Sequence, residues 1–149
     1  MASLTGPGRF HVGRPFSAGL AAGVLATAAL GRFERLEHAF LHEEPPYAPA
    51  RVARRLFGAR RLGPLLRWTY GPSLGVLYAA LRSRVGPCAV AFGAAIAVGE
   101  LLLMPLVGAL PPLRRRERVA LFAHAIAFAL AAEAALRQAR SASPSAITV

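Results

Sequence analysis

The sequence FSAGLAAGVLATAALG, at residues 16–31, indicates the fold class because it is apolar and repeats small residues at a fixed interval. Gly19, Gly23, Thr27 and Gly31 recur every four residues, a spacing that places them on one face of a helix. In lipid, a face of small residues lets two helix backbones approach closely. The pattern predicts a membrane helix packed against a neighbour; a cleaved signal peptide, which needs no packing face, is the alternative.

Three further apolar stretches repeat this pattern and are also bounded by arginine, which is typical of membrane interfaces. Their small residues are Gly71, Gly75 and Ala79, then Ala89, Gly93 and Ala97, then Ala123, Ala127, Ala131 and Ala135. We therefore predict an all-α fold, an integral membrane bundle of four transmembrane helices over residues 16–33, 65–83, 86–108 and 118–137. The helix contacts are assigned to Gly19, Gly23, Gly71, Gly75, Gly93 and Ala127.

The remaining segments are assigned by composition. Residues 1–15 are expected to be irregular and residues 141–149 to form a flexible tail. Between them, residues 49–62 carry Val52, Leu56 and Ala59 on one face and arginines over the rest, namely Arg51, Arg54, Arg55, Arg60 and Arg61. This pattern predicts a short basic helix that lies on the membrane surface and binds anionic lipid. Docking of this helix on a partner protein is the alternative.

The predicted second span is the shortest of the four. Only 14 uncharged residues separate Arg67 from Arg82, or roughly 21 Å of helix against a hydrocarbon core of about 30 Å. We expect the two arginines to extend this span by reaching toward the interfaces.

Charge and composition exclude several functional classes. The 149 residues are 55% hydrophobic and carry a net charge of +11, with arginine as the only basic residue type apart from histidine and glutamate as the only acidic type. The arginines flank apolar segments and interleave with few aromatic residues, which argues against nucleic-acid binding. No dense catalytic or multi-histidine motif is present, so we expect a protein that is not an enzyme and has no cofactor.

Ionisable residues inside a membrane are costly and need an explanation. The helix lengths place Glu100 and His124 at similar depth in the membrane. Tyr70, at the start of the second span, and Arg32 and Glu34, at the end of the first, lie on the same side of the bundle. We favour a hydrogen bond from Glu100 to His124 or Tyr70 that fixes helix register. The functional alternative is a proton-sensing or proton-relaying site, since a histidine beside a carboxyl group can exchange a proton near neutral pH.

Two smaller polar patterns have simpler interpretations. Glu34, His38 and His42 stand four residues apart at the end of the first helix. The two histidines are weak candidates for metal ligands, because a site needs a third and a fourth ligand; a solvated helix end is favoured. Glu133 and Arg137, also four apart, are interpreted as a surface ion pair.

The sequence GELLLMPLVGALPP at residues 99–112, followed by Phe122-Ala123-His124, resembles the YagU-like family of small bacterial inner-membrane proteins. Tyr70-Gly71, Gly75 and Tyr78, with Glu34 before a proline pair, also fit this family's pattern. The resemblance implies a multi-pass, non-enzymatic protein of the bacterial inner membrane, linked to acid or stress response. Two alternatives stay open. One is an accessory subunit or assembly factor of a larger membrane complex, and the other is a small oligomeric transporter or proton path.

Overall fold

The computed structural model describes residues 13–42 and 44–142, with side chains from Phe16 onward, and these residues are almost entirely helical. The α-helices in chain order are α1 (Gly13–Leu41), α2 (Pro49–Phe57), α3 (Gly63–Val85), α4 (Ala89–Leu106) and α5 (Arg115–Ser141). A 3-10 turn, Arg60–Leu62, joins α2 to α3. No strand occurs in the described ranges, so the all-α prediction is confirmed.

The helix ends differ from the expected ones at several points. The expected irregular segment, residues 1–15, and the expected tail, residues 141–149, lie mostly outside the described residues, and where they overlap with them at 13–15 and at Ser141 the chain is helical. The basic helix expected over residues 49–62 ends early, at Phe57, because Gly58 adopts a left-handed conformation with φ 71°. The Gly58 N–H closes α2 on the carbonyl oxygen of Arg54.

The bundle is built around α1, which packs against α3 on one side and α5 on another, while α4 packs on α5. Glycines make the α1–α3 contact: a methyl group added at Gly19 would lie 2.8 Å from the Val76 Cα. Gly93 of α4 makes the corresponding approach to α5, where an added methyl group would lie 2.6 Å from the Ile126 Cα. Small side chains are therefore what allow these helix pairs to pack.

The predicted packing face of α5 is only part of the buried surface of this helix. Ala123 is exposed, Ala127, Ala131 and Ala135 are partly buried and pack against the core, and the fully buried alanines are Ala120, Ala125, Ala129 and Ala132. A run of alanines offers more than one small face, and a strict four-residue spacing advances about 40° past a full turn at each step. The close approach of Gly93 to Ala125 and Ile126 uses a second small face of α5 beside the predicted one.

Three helices are long and apolar enough to cross a membrane: α1 from Phe16 to Leu41, α4, and α5. The prediction of four such helices is corrected to three among the described residues, because α3 is long enough but not apolar enough to cross a membrane by its composition alone. Arg67, Thr69 and Ser73, together with three glycines and two prolines, lower the hydropathy of α3 along the stretch that would span the membrane. Length and composition of the three apolar helices are those of a membrane protein.

Candidate functional site

A polar cavity of about 800 Å³ lies where α1, α3, α4 and α5 converge under the segment that leads into α2. We define this polar cavity by the residues that line it with polar or aromatic groups: Glu34, Glu37, His38, Glu44, Tyr47, Arg67, Trp68, Tyr70, Glu100 and His124. An apolar recess of about 80 Å³ continues from it, with a floor made by Leu30, Leu74, Ile96 and Phe128. A large concave site with convergent polar groups is the default location for binding.

Glu37 and His124 form the most buried polar pair of the cavity. The Glu37 side chain is 5% exposed and its Oε2 lies 3.0 Å from Nδ1 of His124, which joins α1 to α5. Tyr47 donates its hydroxyl to the other carboxylate oxygen at 3.3 Å. Burial and the adjacent Glu37 carboxylate raise the pKa of Tyr47 above its usual range, so this hydroxyl is a donor at neutral pH. The rings of Phe33 and Tyr47 pack edge-on against the imidazole.

Glu100 is bound by Tyr70. The Tyr70 hydroxyl of α3 donates to Glu100 Oε1 of α4 at 2.9 Å. Of the two alternative partners expected for Glu100, the structure therefore has Tyr70. His124 is bound to Glu37 instead. Both Glu100 and His124 line the polar cavity, as their similar depth predicts.

Glu34 forms an ion pair that the sequence analysis did not anticipate. Arg67 of α3 donates from Nη1 to Glu34 Oε2 at 2.8 Å and from Nη2 to the carbonyl oxygen of Thr27 at 3.1 Å. Thr27 in turn donates its hydroxyl to the carbonyl oxygen of Gly23 at 2.7 Å. This chain of contacts joins the start of α3 to the middle of α1 at the wall of the cavity.

Arg32, expected in the polar centre, is exposed and does not line the cavity. Arg32 lies two residues before Glu34, which places it about 200° around the helix from that side chain. Because Glu34 faces α3, Arg32 must point away from the bundle. Its assignment to the polar centre is therefore corrected.

The two histidines proposed as weak metal candidates are separated by the end of α1. His38 lines the mouth of the cavity, whereas His42 is exposed and has a left-handed backbone with φ 60°. Among residues 13–42 and 44–142, no group of three or more histidine, cysteine, aspartate or glutamate side chains is arranged to hold a metal ion.

A second polar cluster, at the opposite end of α3, corrects the interpretation of Glu133 as a surface residue. Glu133 is 5% exposed. Its carboxylate accepts hydrogen bonds from Arg82 at 2.6 and 3.0 Å, from Arg137 at 2.6 Å and from the Tyr78 hydroxyl at 2.8 Å. The predicted ion pair between Glu133 and Arg137, four residues further along α5, is present. The buried partners of Glu133, however, are Arg82 and Tyr78 of α3.

The basic helix α2 buries part of its apolar face inside the protein. Val52 is buried against Ala109 and Leu110 in the α4–α5 connection, whereas Leu56 and Phe57 are exposed, so the position of this helix on the membrane surface stays a prediction. Arg51 pairs with Glu44 at 3.4 Å. The other four arginines of the segment are exposed, namely Arg54, Arg55, Arg60 and Arg61. What α2 offers to the surroundings is therefore a positively charged outer surface.

Comparison with protein-family models, with curated proteins and with solved structures gives no match for this chain. The resemblance to the YagU-like family therefore stays a prediction.

Proposed function

We propose that the chain is a non-enzymatic inner-membrane protein in which α3 enters the bilayer with the three apolar helices. Two observations support a membrane position for α3. Its glycines pack against the apolar part of α1. In addition, Arg67 and Arg82, which make the helix too polar by composition, each pair with a glutamate of a neighbouring helix. Arginines whose charge is paired inside a bundle are tolerated at membrane depth.

The polar cavity acts, in this proposal, as a proton-responsive centre in acid or stress response. The observation that carries it is the 3.0 Å contact between His124 and Glu37. Protonation of His124 converts the hydrogen bond between a neutral imidazole and the Glu37 carboxylate into an ion pair of opposite charges, which strengthens the contact. Acid would therefore tighten the α1–α5 contact. The other ionisable groups facing this pair across the cavity are Glu34, His38, Glu44, Tyr47, Arg67, Tyr70 and Glu100.

The test compares unfolding at two pH values. For the wild-type protein in mild detergent, we expect the free energy of unfolding to rise between pH 8 and pH 5.5, because only the protonated imidazole forms an ion pair with the Glu37 carboxylate. Glu37→Gln should remove most of this rise, because a neutral amide gains little from protonation of His124. The control is Glu117→Gln, which changes the same residue type at the start of α5, where glutamine also caps a helix.

A functional readout uses the source bacterium with the gene deleted. We expect survival of an acid shock to be restored by the wild-type gene and by Glu117→Gln, but not by Glu37→Gln produced at the same level in the membrane. Restoration by Glu37→Gln to the level of the wild type would contradict the proton role of the Glu37–His124 pair.

A role as accessory subunit of a larger membrane complex, or as a homo-oligomer, is the second candidate. Two surfaces favour it. The outer face of α4 exposes Val90, Val98, Leu102 and Leu106. The outer surface of α2 exposes arginines that complement anionic lipid headgroups or an acidic partner. Native mass spectrometry from the source membrane separates a monomer of 15.7 kDa from a larger assembly.

A further inference from the structure

The carboxylates of the polar cavity differ in how their charge is compensated. Four glutamates line the cavity, and two of them, Glu34 and Glu44, form ion pairs with arginine. Glu37 and Glu100 do not: among the described residues, neither has an arginine within ion-pair distance. A carboxylate in a membrane protein interior is expected to be paired with a positive charge. The cavity of this strongly basic protein is thus locally short of cations.

The partners of these two carboxylates are neutral or titratable. Within residues 13–42 and 44–142, Glu100 accepts only the Tyr70 hydroxyl, and Glu37 accepts the Tyr47 hydroxyl and the His124 imidazole. Each carboxylate has two oxygens with several acceptor positions. Both therefore keep acceptor capacity that a cation in the cavity can use.

The walls of the cavity are suited to an organic cation rather than a bare metal ion. Tyr47, Trp68, Tyr70 and His124 are aromatic lining residues, and aromatic faces attract ammonium groups. The apolar recess adds a place for a hydrocarbon chain directly beside the carboxylates, because Glu100 and His124 line both spaces. The recess extends between α3 and α4, which meet there through long side chains such as Tyr70 with Glu100.

We propose that the polar cavity binds an amphiphilic organic cation, with its ammonium group between Glu37 and Glu100 and its apolar chain in the recess. This inference rests on the proposed function in one respect, namely that the chain is a membrane protein whose Glu37–His124 pair lies in this cavity. An ammonium group beside Glu37 repels a protonated imidazole. The cation and the proton on His124 therefore compete, and the cation binds more weakly in acid.

Trp68 provides the assay, because it is the single tryptophan of the chain and lines the cavity. The wild-type protein in vesicles of zwitterionic lipid is titrated at pH 8 with propyltrimethylammonium, whose short chain suits a recess of about 80 Å³, and Trp68 fluorescence is followed. Propanol and propionate serve as probes with a chain of the same length and a neutral or negative head. We expect a saturable fluorescence change with the cation and only a linear, unsaturated change with the other two.

The variants locate the binding. Glu100→Gln keeps an amide oxygen for the Tyr70 hydroxyl and removes the charge, so we expect at least a tenfold weaker affinity for the cation. Glu117→Gln, which removes one negative charge outside the cavity, should bind as the wild type does. If Glu100→Gln fails to fold in a denaturant titration, Glu37→Gln is measured in its place, with the same expected loss.

Two results overturn the inference: an equal response to the three probes, or an unchanged affinity in the folded cavity variant. Failure of the inference is distinguishable from failure of the proposed function. A pH-dependent stability that requires Glu37, without saturable cation binding, leaves the proton role standing and removes the ligand. Saturable cation binding at pH 8, without a pH-dependent stability, supports the ligand and removes the proton role.

Discussion

Replacing Gly75 by alanine tests whether the α1–α3 contact holds the bundle together. The added methyl group would lie 2.5 Å from both the carbonyl oxygen of Gly19 and the backbone nitrogen of Gly23, whereas ordinary van der Waals contact begins near 3.4 Å. The two backbones must therefore separate by about 0.9 Å, the difference between these distances. No rotamer change can relieve the clash, because the opposing atoms belong to the backbone.

We expect Gly75→Ala to lower the free energy of unfolding by about 1–3 kcal/mol, the usual cost of overpacking a close contact. The matched control is Gly99→Ala in α4, where an added methyl group meets nothing within 4 Å. There the higher helix propensity of alanine should stabilise the protein by up to about 1 kcal/mol. The two substitutions make the same chemical change in a helix interior, so their effects should have opposite signs.

The assay is a denaturant titration of each purified protein in the same mild detergent, with helix content as the readout. The reasoning is refuted if Gly75→Ala unfolds within about 0.5 kcal/mol of the wild type, or if Gly99→Ala destabilises the protein as much. The first result would mean that α1 and α3 do not lie in backbone contact at this point, and the second would mean that a loss at Gly75 is not specific to that contact.

Two further predictions concern buried polar groups. Glu133→Gln leaves the buried guanidinium of Arg82 without its carboxylate, so we expect a loss of about 3–5 kcal/mol of stability; a loss below 1 kcal/mol in the same denaturant titration would contradict the buried position of Glu133. Because the pKa of Tyr47 is raised on folding, its hydroxyl stabilises the fold below about pH 10 and this contribution is lost as the pH rises further. Tyr47→Phe should therefore be less stable than the wild type at pH 8 and approach it at pH 11; a constant difference would refute the assignment.

Much of the helix packing was predictable from the spacing of small residues. Where this prediction departs from the structure, the departure has a geometric cause. On α1, the four-residue ladder is buried at Gly19, Gly23 and Thr27, but Gly31 has left the contact face. A helix turns 100° per residue, so three steps of four residues accumulate about 120° of drift. The face that stays in contact proceeds instead by steps of three and four, through Leu30, to Glu34 and Glu37.

The steps of three and four residues that follow the buried face of α1 also lead to its cavity residues. Glu34 and Glu37 follow Leu30 at helical intervals, so an extension of the buried face with a period of 3.6 residues places two carboxylates toward the neighbouring helices. The identity of their partners could not be obtained in this way. Arg67 and His124 come from α3 and α5, and pairs separated by 33 and 87 residues depend on tertiary packing.

Charge pairing explains why a cavity can persist beside α3. Arg67 and Arg82 lie roughly 22 Å apart along this helix, and each is bound to a glutamate, the first on α1 and the second on α5. Between them, Gly71 and Gly75 contact α1 closely. The helix α3 is thus held at both ends and in its middle on the side away from α4. The bond from Tyr70 to Glu100 links α3 to α4 beside the recess. The rings of Tyr78 and Phe92, whose centroids lie 4.9 Å apart, and the close contact of Gly93 with α5 also hold α4, so a ligand can take over Glu100 without releasing either helix.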